Sequence, residues 1–304
     1  MAENRTGGER ADTRANGERA VTRARGPWLE AWSVFRRNYA ALVGLGILAL
    51  VVVTVVAGPY LYPIDPFDIV AAPKTAPGED RDAILGTDYL GRDILAGLVR
   101  GGRPTLMVGF FAAMITTVIG ITMGALGGYY GGRVDGVLGR ITEFFQVLPA
   151  LLFAMVLIML FTPSLVTVTV AIGVVAWTSM ARLTRAEFLR IKELEYVRAA
   201  RAIGSSDSRI IWGVILPNAL PPIIVAATLA TGSAILFEAG LSFLGLSDPN
   251  VMSWGMMIGS NRNYLREMWW AVSLPGICVF LTVLAISLVG DGLNDAFNPK
   301  LRTR

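Results

Sequence analysis

The chain has 304 residues, of which 54% are hydrophobic and only 16% charged, and its mean hydropathy is +0.55. This composition is typical of a polytopic membrane protein and not of a soluble enzyme. Histidine is absent and Cys278 is the only cysteine, so no histidine-based or cysteine-based catalytic pair, zinc site or intrachain disulfide is expected. The net charge of +4 is too small an excess to indicate nucleic-acid binding.

The first segment of the chain, residues 1–27, contains Arg, Gly, Ala, Glu and Thr with almost no large apolar side chains. Such a segment does not bury enough surface to offset the entropy of ordering. We therefore predict a disordered tail. Residues 28–64 are predicted to form the first transmembrane segment, which is too long for the core of a cleaved signal peptide.

Stretches without ionisable side chains locate the membrane spans. They are residues 38–64, 104–132, 144–181, 210–237 and 268–290. Each is longer than the roughly 20 residues that cross ~30 Å of hydrocarbon. The third is too long for one helix, and Thr162-Pro163-Ser164 interrupts it. The prediction is an all-α protein with six transmembrane helices, an extracytoplasmic segment at 65–103 and a core of five helices at 104–301.

The distribution of basic residues predicts the orientation. Most of the 27 Lys and Arg residues fall in the two termini and in the loops after the second and fourth spans. Basic residues collect on the cytoplasmic side of a membrane. Both termini are therefore predicted to be cytoplasmic.

The second span contains four glycines at intervals of four residues, which form one stripe on a helix. They are Gly120, Gly124, Gly128 and Gly132. Such stripes let two helix backbones approach closely. The stripe predicts a packing seam, with a lining of the substrate path as the alternative.

Two sets of side chains lie near the predicted membrane boundaries. Three tryptophans fit an interfacial aromatic belt at the outer face: Trp254, Trp269 and Trp270. Three carboxylates lie at or near span ends: Glu143, Glu238 and Asp291. A carboxylate in hydrocarbon is costly, which leaves two interpretations open for each, capping or interhelical pairing on one side and transport or gating on the other.

The loop between the fourth and fifth spans carries a short predicted amphipathic helix from Glu195 to Ile203. Its apolar face consists of Tyr196, Ala199, Ala200 and Ile203. Gly204 can adopt the left-handed conformation that ends a helix, and Ser205, Ser206 or Asp207 can cap the next one. Three prolines then disturb the start of the fifth span: Pro217, Pro221 and Pro222. From periodicity alone, a helix lying on the lipid surface is an equal alternative to a docking helix.

These residues resemble the EAA loop of ABC importer permeases, whose pattern is EAA, three residues, Gly, nine residues and I-x-LP. Five matching positions are Ala199, Ala200, Gly204, Leu216 and Pro217. Arg198 stands where the pattern has Glu, and Val214 stands where it has Ile. Three further segments, 85–109, 241–258 and 288–301, resemble the C-type permease of dipeptide and oligopeptide importers, so the likeness covers about residues 28–301.

The resemblance implies the MetI-like permease fold of type I ABC importers and a transport subunit without catalytic, cofactor or metal sites of its own. The implied partners are a homologous B-type permease, one or two ABC ATPases that bind ATP and Mg, and an extracytoplasmic substrate-binding protein, all at a bacterial or archaeal cytoplasmic membrane with its lipid. The coupling loop is placed at 184–217. The residues expected to couple to the ATPase are Tyr196, Arg198, Ala199, Ala200, Arg201, Ala202, Gly204 and Pro217. Arg201 has a second interpretation, contact with lipid phosphates.

Other functions remain open from the sequence. Importers of nickel, glutathione or other small solutes use similar permeases. A membrane-embedded hydrolase would rest on Asp291 and Asp295, which are four residues apart on a helix. A passive channel is the second alternative.

Overall fold

The computed structural model describes residues 32–297, and its regular structure is helical, with strand-type pairing in that range limited to two isolated bridges. The predicted tail at 1–27 lies outside the described residues. The helices are α1 (Tyr39–Leu61), α2 (Ile94–Tyr130), α3 (Gly132–Val147), α4 (Ala150–Leu160), α5 (Leu165–Ile191), α6 (Glu195–Ala202), α7 (Asp207–Phe243), α8 (Trp254–Asn261) and α9 (Trp270–Phe297).

Five of these helices, α1, α2, α5, α7 and α9, are long and apolar enough to cross a membrane. A sixth span exists only if α3 and α4 are counted together, and these two helices are bent by 89° at their junction. With 11 residues, α4 alone is about 16 Å long, half the hydrocarbon thickness. The predicted third span is therefore a broken one.

The break between α3 and α4 follows from a proline that the span prediction did not take into account. Leu148 has an extended backbone (ψ 132°), the conformation that a following proline favours because the ring of Pro149 crowds the helical one. The other predicted break, at 162–164, is confirmed: α5 begins after Ser164, whose hydroxyl accepts from Thr167 N at 3.1 Å.

Residues 62–93 and 244–269 form a compact layer, called here the cap, at the ends of α1, α2, α7 and α9. Two of the tryptophans assigned to a lipid belt are buried, one within the cap and one directly after it. Trp254 Nε1 donates to Leu98 O at 2.8 Å, and Trp270 Nε1 donates to Thr87 O at 3.2 Å. The belt interpretation was wrong for these two, because their polar atoms are satisfied within the protein; only Trp269 of the three is exposed.

The start of α2 is fixed in the cap. Asp93 accepts from Leu95 N at 2.8 Å and caps the helix well before the predicted boundary at Pro104, which lies inside α2. Asp93 also accepts from the Tyr62 hydroxyl, and burial together with this bond raises the pKa of Tyr62 to about 12. The segment after α1 is thereby tied to the first turn of α2.

A glycine seam joins α2 to α5. A Cβ atom would lie 2.5 Å from Met180 Cβ at Gly120, 2.7 Å from Thr184 Cβ at Gly124 and 2.7 Å from Phe188 Cβ at Gly128. Only glycine permits this approach of two backbones. The packing-seam prediction is confirmed for these three positions, whereas Gly132, with φ +49° and open surroundings, starts α3 and takes no part.

Candidate coupling site

The loop between α5 and α7 contains α6, which ends in a complete Schellman motif. Gly204 has a φ of +82°, as predicted. Its N–H donates to Arg201 O at 3.0 Å, and Ser205 N donates to Ala200 O at 3.1 Å, the two bonds that define the motif. Glu195 in the first turn and Arg201 in the last turn both complement the helix dipole. The charges at the two ends of α6 therefore stabilise it as a helix, and Gly204 determines where it ends.

One side chain, Val197, anchors α6 to the rest of the protein. It is fully buried in a cluster that includes Phe188 of α5 and Ile210 and Ile211 of α7. The predicted apolar face points the other way. Tyr196 is 45% exposed and Ile203 is 83% exposed, so α6 presents an apolar face on the outside of this subunit.

The two arginines of α6 have partners within the chain. Arg198 Nη2 donates to Glu193 Oε2 at 2.8 Å, and this bond holds the pKa of the Glu193 carboxyl below its usual value. The Arg201 guanidinium lies 5.7 Å from the centre of the Tyr129 ring at the end of α2. The arginine that replaces the motif Glu is thus engaged with a neighbouring carboxylate of the same loop.

The structure gathers most of the predicted coupling residues on one element. These are Tyr196, Arg198, Ala199, Ala200, Arg201, Ala202 and Gly204, all on α6 or its C-terminal cap. Pro217 is exposed about three turns along α7 from Asp207 and lies apart from them.

The irregular start of the fifth span predicted from the prolines is present as a π segment, Ile210–Ile215, in which Leu216 N donates to Ile211 O. Widening the helix there accommodates Pro217, which lacks an N–H and would crowd the carbonyl four residues earlier. The segment places three buried isoleucines, at 210, 211 and 215, beneath α6.

Sequence reasoning missed two residues that hold the loop, Tyr129 and Lys192. Ser206 occupies the N-cap position of α7 but makes no side-chain capping bond, whereas Asp207 accepts from the Tyr129 hydroxyl at 2.6 Å. Lys192 Nζ donates to Gly128 O at 3.0 Å. No local pattern announces these bonds, because each joins residues more than 60 positions apart.

A groove of about 450 Å³ runs between α5 and α7 beside the first residue of α4. Its lining is mostly small, and its hydroxyl-bearing members are Thr116, Thr178, Ser179 and Ser233. Ser179 and Ser233 are exposed in this chain. The volume of the groove lies within the range of small-molecule sites, and its hydroxyls carry no fixed charge.

The carboxylates near span ends differ in their surroundings. Glu238 is 3% exposed, and its Oε1 accepts from Ser242 Oγ and Ser253 Oγ, both at 2.8 Å, which joins α7 to the start of α8. Asp295 accepts from Asn38 Nδ2 at 3.0 Å and joins α9 to α1. Asp291 and Glu143 are exposed. Glu238 and Asp295 therefore make interhelical pairs, and the two aspartates proposed for a hydrolase do not share one buried site.

Comparison with known proteins identifies the family of this fold. Residues 98–303 match the family described as binding-protein-dependent transport system inner membrane component, and residues 26–78 match the N-terminal TM domain of oligopeptide transport permease C. The chain is 38% identical over 282 residues to the di/tripeptide transport system permease protein of Pseudomonas aeruginosa, covering 91% of this chain and 93% of the relative. It is 40% identical over 275 residues to the dipeptide transport system permease protein of Bacillus subtilis, covering 90% and 86%.

A solved structure has the same fold. A chain of the MetNI methionine ABC transporter, in an inward-facing conformation, superposes with a TM-score of 0.53 at 24% identity, covering 66% of this chain and 96% of that one. With the apolar spans, these matches place the chain in the bacterial inner membrane as a multi-pass protein. The chain belongs to the family of inner membrane components of binding-protein-dependent transport systems, in the branch of C-type ABC permeases.

Proposed function

We propose that this chain is one of two permease subunits of an ATP-driven importer of dipeptides, tripeptides or short oligopeptides. The relatives named for di- and tripeptide transport match it over nine-tenths of its length, which supports peptide cargo. A relative named for transport of glutathione, itself a tripeptide, matches over the same share, so glutathione stays within this cargo class. The chain itself carries out no chemical step; ATP and Mg bind to separate ATPase subunits, and a binding protein delivers the peptide to the cap side. Both termini and α6 lie on the cytoplasmic side.

The observation that carries the proposal is the outward apolar face of α6. A helix whose Tyr196 and Ile203 are exposed, while Val197 and a Schellman motif hold it in place, is suited to insert into a partner protein. A helix held this firmly passes a partner's movement on as a rigid body. A lipid surface would satisfy the same apolar side chains but would not require the fixed geometry.

The groove between α5 and α7 is the proposed half of the peptide path in this subunit. The second permease would close it from the other side. Its hydroxyls suit a peptide backbone of any sequence, because they offer hydrogen bonds without selecting side-chain charge. Selectivity then resides mainly in the binding protein.

Co-purification from the chain's own host tests this proposal. The tagged chain should bring down a second permease and one or two ATPases, and the reconstituted complex should take up labelled dipeptides and tripeptides only with ATP and the binding protein. A chain that purifies alone, or one that conducts peptide without ATP, would contradict the importer and favour a channel.

A pair of substitutions at Gly204 tests the role of α6. Gly204→Pro removes the N–H that bonds Arg201 O and is incompatible with a φ of +82°, so it should abolish uptake in a complex that still inserts. Gly204→Asn is the matched control, because Asn tolerates the left-handed conformation, and it should retain uptake. Uptake by Gly204→Pro as fast as that by Gly204→Asn and by the parent would show that the end of α6 does not matter for coupling.

A further inference from the structure

We propose that Tyr129 is a positioning residue that fastens both sides of the Gly204 turn to the end of α2, so that a movement imposed on α6 reaches the α2–α5 pair. The inference rests on the proposed function, in which ATPases act on α6. It assigns a role in coupling to a residue outside the loop itself.

Tyr129 is placed to join the two arms of the loop. Its hydroxyl donates to Asp207 Oδ1 at 2.6 Å, in the first turn of α7. Its ring faces the Arg201 guanidinium, 5.7 Å from the ring centre, in the last turn of α6. The two contacts lie on either side of Gly204, the one residue of the connection with a left-handed backbone. One buried side chain therefore contacts both helices where the chain between them turns.

The surroundings of Tyr129 make it a firm point of attachment. Its neighbour Gly128 packs against Phe188 of α5, where a Cβ would meet Phe188 Cβ at 2.7 Å and Arg185 O at 2.9 Å. Lys192, just beyond α5, donates to the carbonyl of Gly128 at 3.0 Å. The two backbones therefore approach as closely as glycine allows, and the Lys192 bond fastens the end of α5 to the end of α2. A force on the Tyr129 hydroxyl thus moves both helices together.

The path from α6 to the peptide groove is then continuous. Motion of α6 passes through Arg201 and Asp207 to Tyr129, and through the glycine seam to α5. The hydroxyl-bearing wall of the groove includes Thr178 and Ser179 of α5. Without the Tyr129 hydroxyl, α6 would still be anchored by Val197 and would still bind its ATPase, but one fixed link to α2 would be missing.

The chain provides a matched control in Tyr130. It is adjacent, has the same side chain and is half exposed, with its ring 5.2 Å from the ring of Tyr129 in an edge contact. Asp207 provides a graded pair: Asp207→Ala removes the acceptor, whereas Asp207→Asn keeps an oxygen that accepts the hydroxyl proton.

The test measures peptide uptake and ATP hydrolysis in the same vesicles, with the whole complex, its binding protein and a mixture of labelled dipeptides and tripeptides. Tyr129→Phe should lower the peptide transported per ATP by about tenfold, the size expected for losing one hydrogen bond to a charged acceptor. Tyr130→Phe leaves the bond between Tyr129 and Asp207 untouched, and Asp207→Asn keeps an oxygen that accepts it. Both variants should therefore stay within about twofold of the parent. Asp207→Ala should match Tyr129→Phe, and the double variant should be no worse than either single one.

The ratio separates coupling from folding. A variant that merely folds less well gives less complex, lowering uptake and hydrolysis together and leaving peptide per ATP unchanged. An unchanged ratio in Tyr129→Phe, or an equal fall in Tyr130→Phe, overturns the role of Tyr129 while the importer stands. A parent complex without ATP-driven peptide uptake overturns the proposed function, and the coupling role with it.

Discussion

The glycine seam between α2 and α5 allows a sharp prediction about stability, because one methyl group decides it. In Gly124→Ala the new Cβ would run into Ala181 O and would lie 2.7 Å from Thr184 Cβ and 2.9 Å from Arg185 N. Ordinary contact between such atoms begins near about 3.4 Å, so the two helices would have to separate by about 1 Å. Backbone atoms cannot rotate away as a flexible side chain can.

The cost follows from two opposing effects. Overpacking of this kind destabilises a core by about 1–3 kcal/mol, and three close contacts on backbone and Cβ atoms put Gly124→Ala at the upper end. Replacing glycine by alanine inside a helix returns up to about 1 kcal/mol. The net loss is then about 2 kcal/mol, which corresponds to a fall of about 5 °C in the Tm of the purified protein.

Gly136→Ala is the matched control for this prediction. Gly136 is also inside a helix, α3, but nothing lies within 4 Å of the position that an added Cβ would take, so only the gain in helix propensity remains. Thermal unfolding of both variants in detergent, followed by loss of monodisperse protein on gel filtration, should show a lower Tm for Gly124→Ala and an equal or higher one for Gly136→Ala. If Gly124→Ala unfolds at or above the temperature of Gly136→Ala, the seam is not closely packed and the reasoning is refuted.

Three further variants test the other contacts that organise the fold. Val197→Ala removes fully buried methyl groups beneath α6 and should cost about 2 kcal/mol; limited proteolysis of the loop checks it, and unchanged cleavage would show that α6 is anchored elsewhere. Glu238→Ala leaves the buried hydroxyls of Ser242 and Ser253 without their acceptor and should cost about 1–3 kcal/mol, whereas Glu238→Gln keeps a carbonyl oxygen and should unfold closer to the parent; the reverse order of Tm would contradict this. Trp254→Phe leaves a backbone carbonyl of α2 without its indole donor and should lower the Tm by an amount equivalent to about 1 kcal/mol, while an unchanged Tm would mean that water replaces the bond.

The broken third span shows how a local signal can be present and still be overlooked. The stretch 144–181 contains two proline breaks, and only the second, at 162–164, looks like a turn from composition. The first break consists of a single Pro149 in an apolar run, and its effect on Leu148 is as strong. The criterion of length and apolarity did not register it, because hydropathy carries no information on backbone direction.

The tryptophans illustrate a limit of a different kind. An indole ring has an apolar body and a polar N–H. Near a membrane boundary both parts can be satisfied either by lipid and water or by protein. Trp254 and Trp270 face protein because backbone carbonyls of α2 and of the cap lie within 3.2 Å of their Nε1 atoms. Nothing within either tryptophan's own segment distinguishes these two from the exposed Trp269.

The sequence by itself determined those features that depend on residues close together along the chain. Long apolar stretches predicted the spans, spacing of four predicted the seam at Gly120, Gly124 and Gly128, and Gly204 predicted the end of α6. The resemblance to a permease loop likewise depends on the residues of one short segment. Each of these depends on hydrophobicity, helix period or backbone freedom, which short segments express on their own.

Only the tertiary structure decided which way each face points and what holds the coupling loop. Val197, not the predicted apolar face, is buried, and Tyr129 reaches Asp207 across 78 positions of sequence. The physical reason is that a short amphipathic helix has two possible partners, this chain or another, and periodicity is the same for both. Burial against α5 and α7 left Tyr196 and Ile203 outside, where the sequence alone had no means to place them.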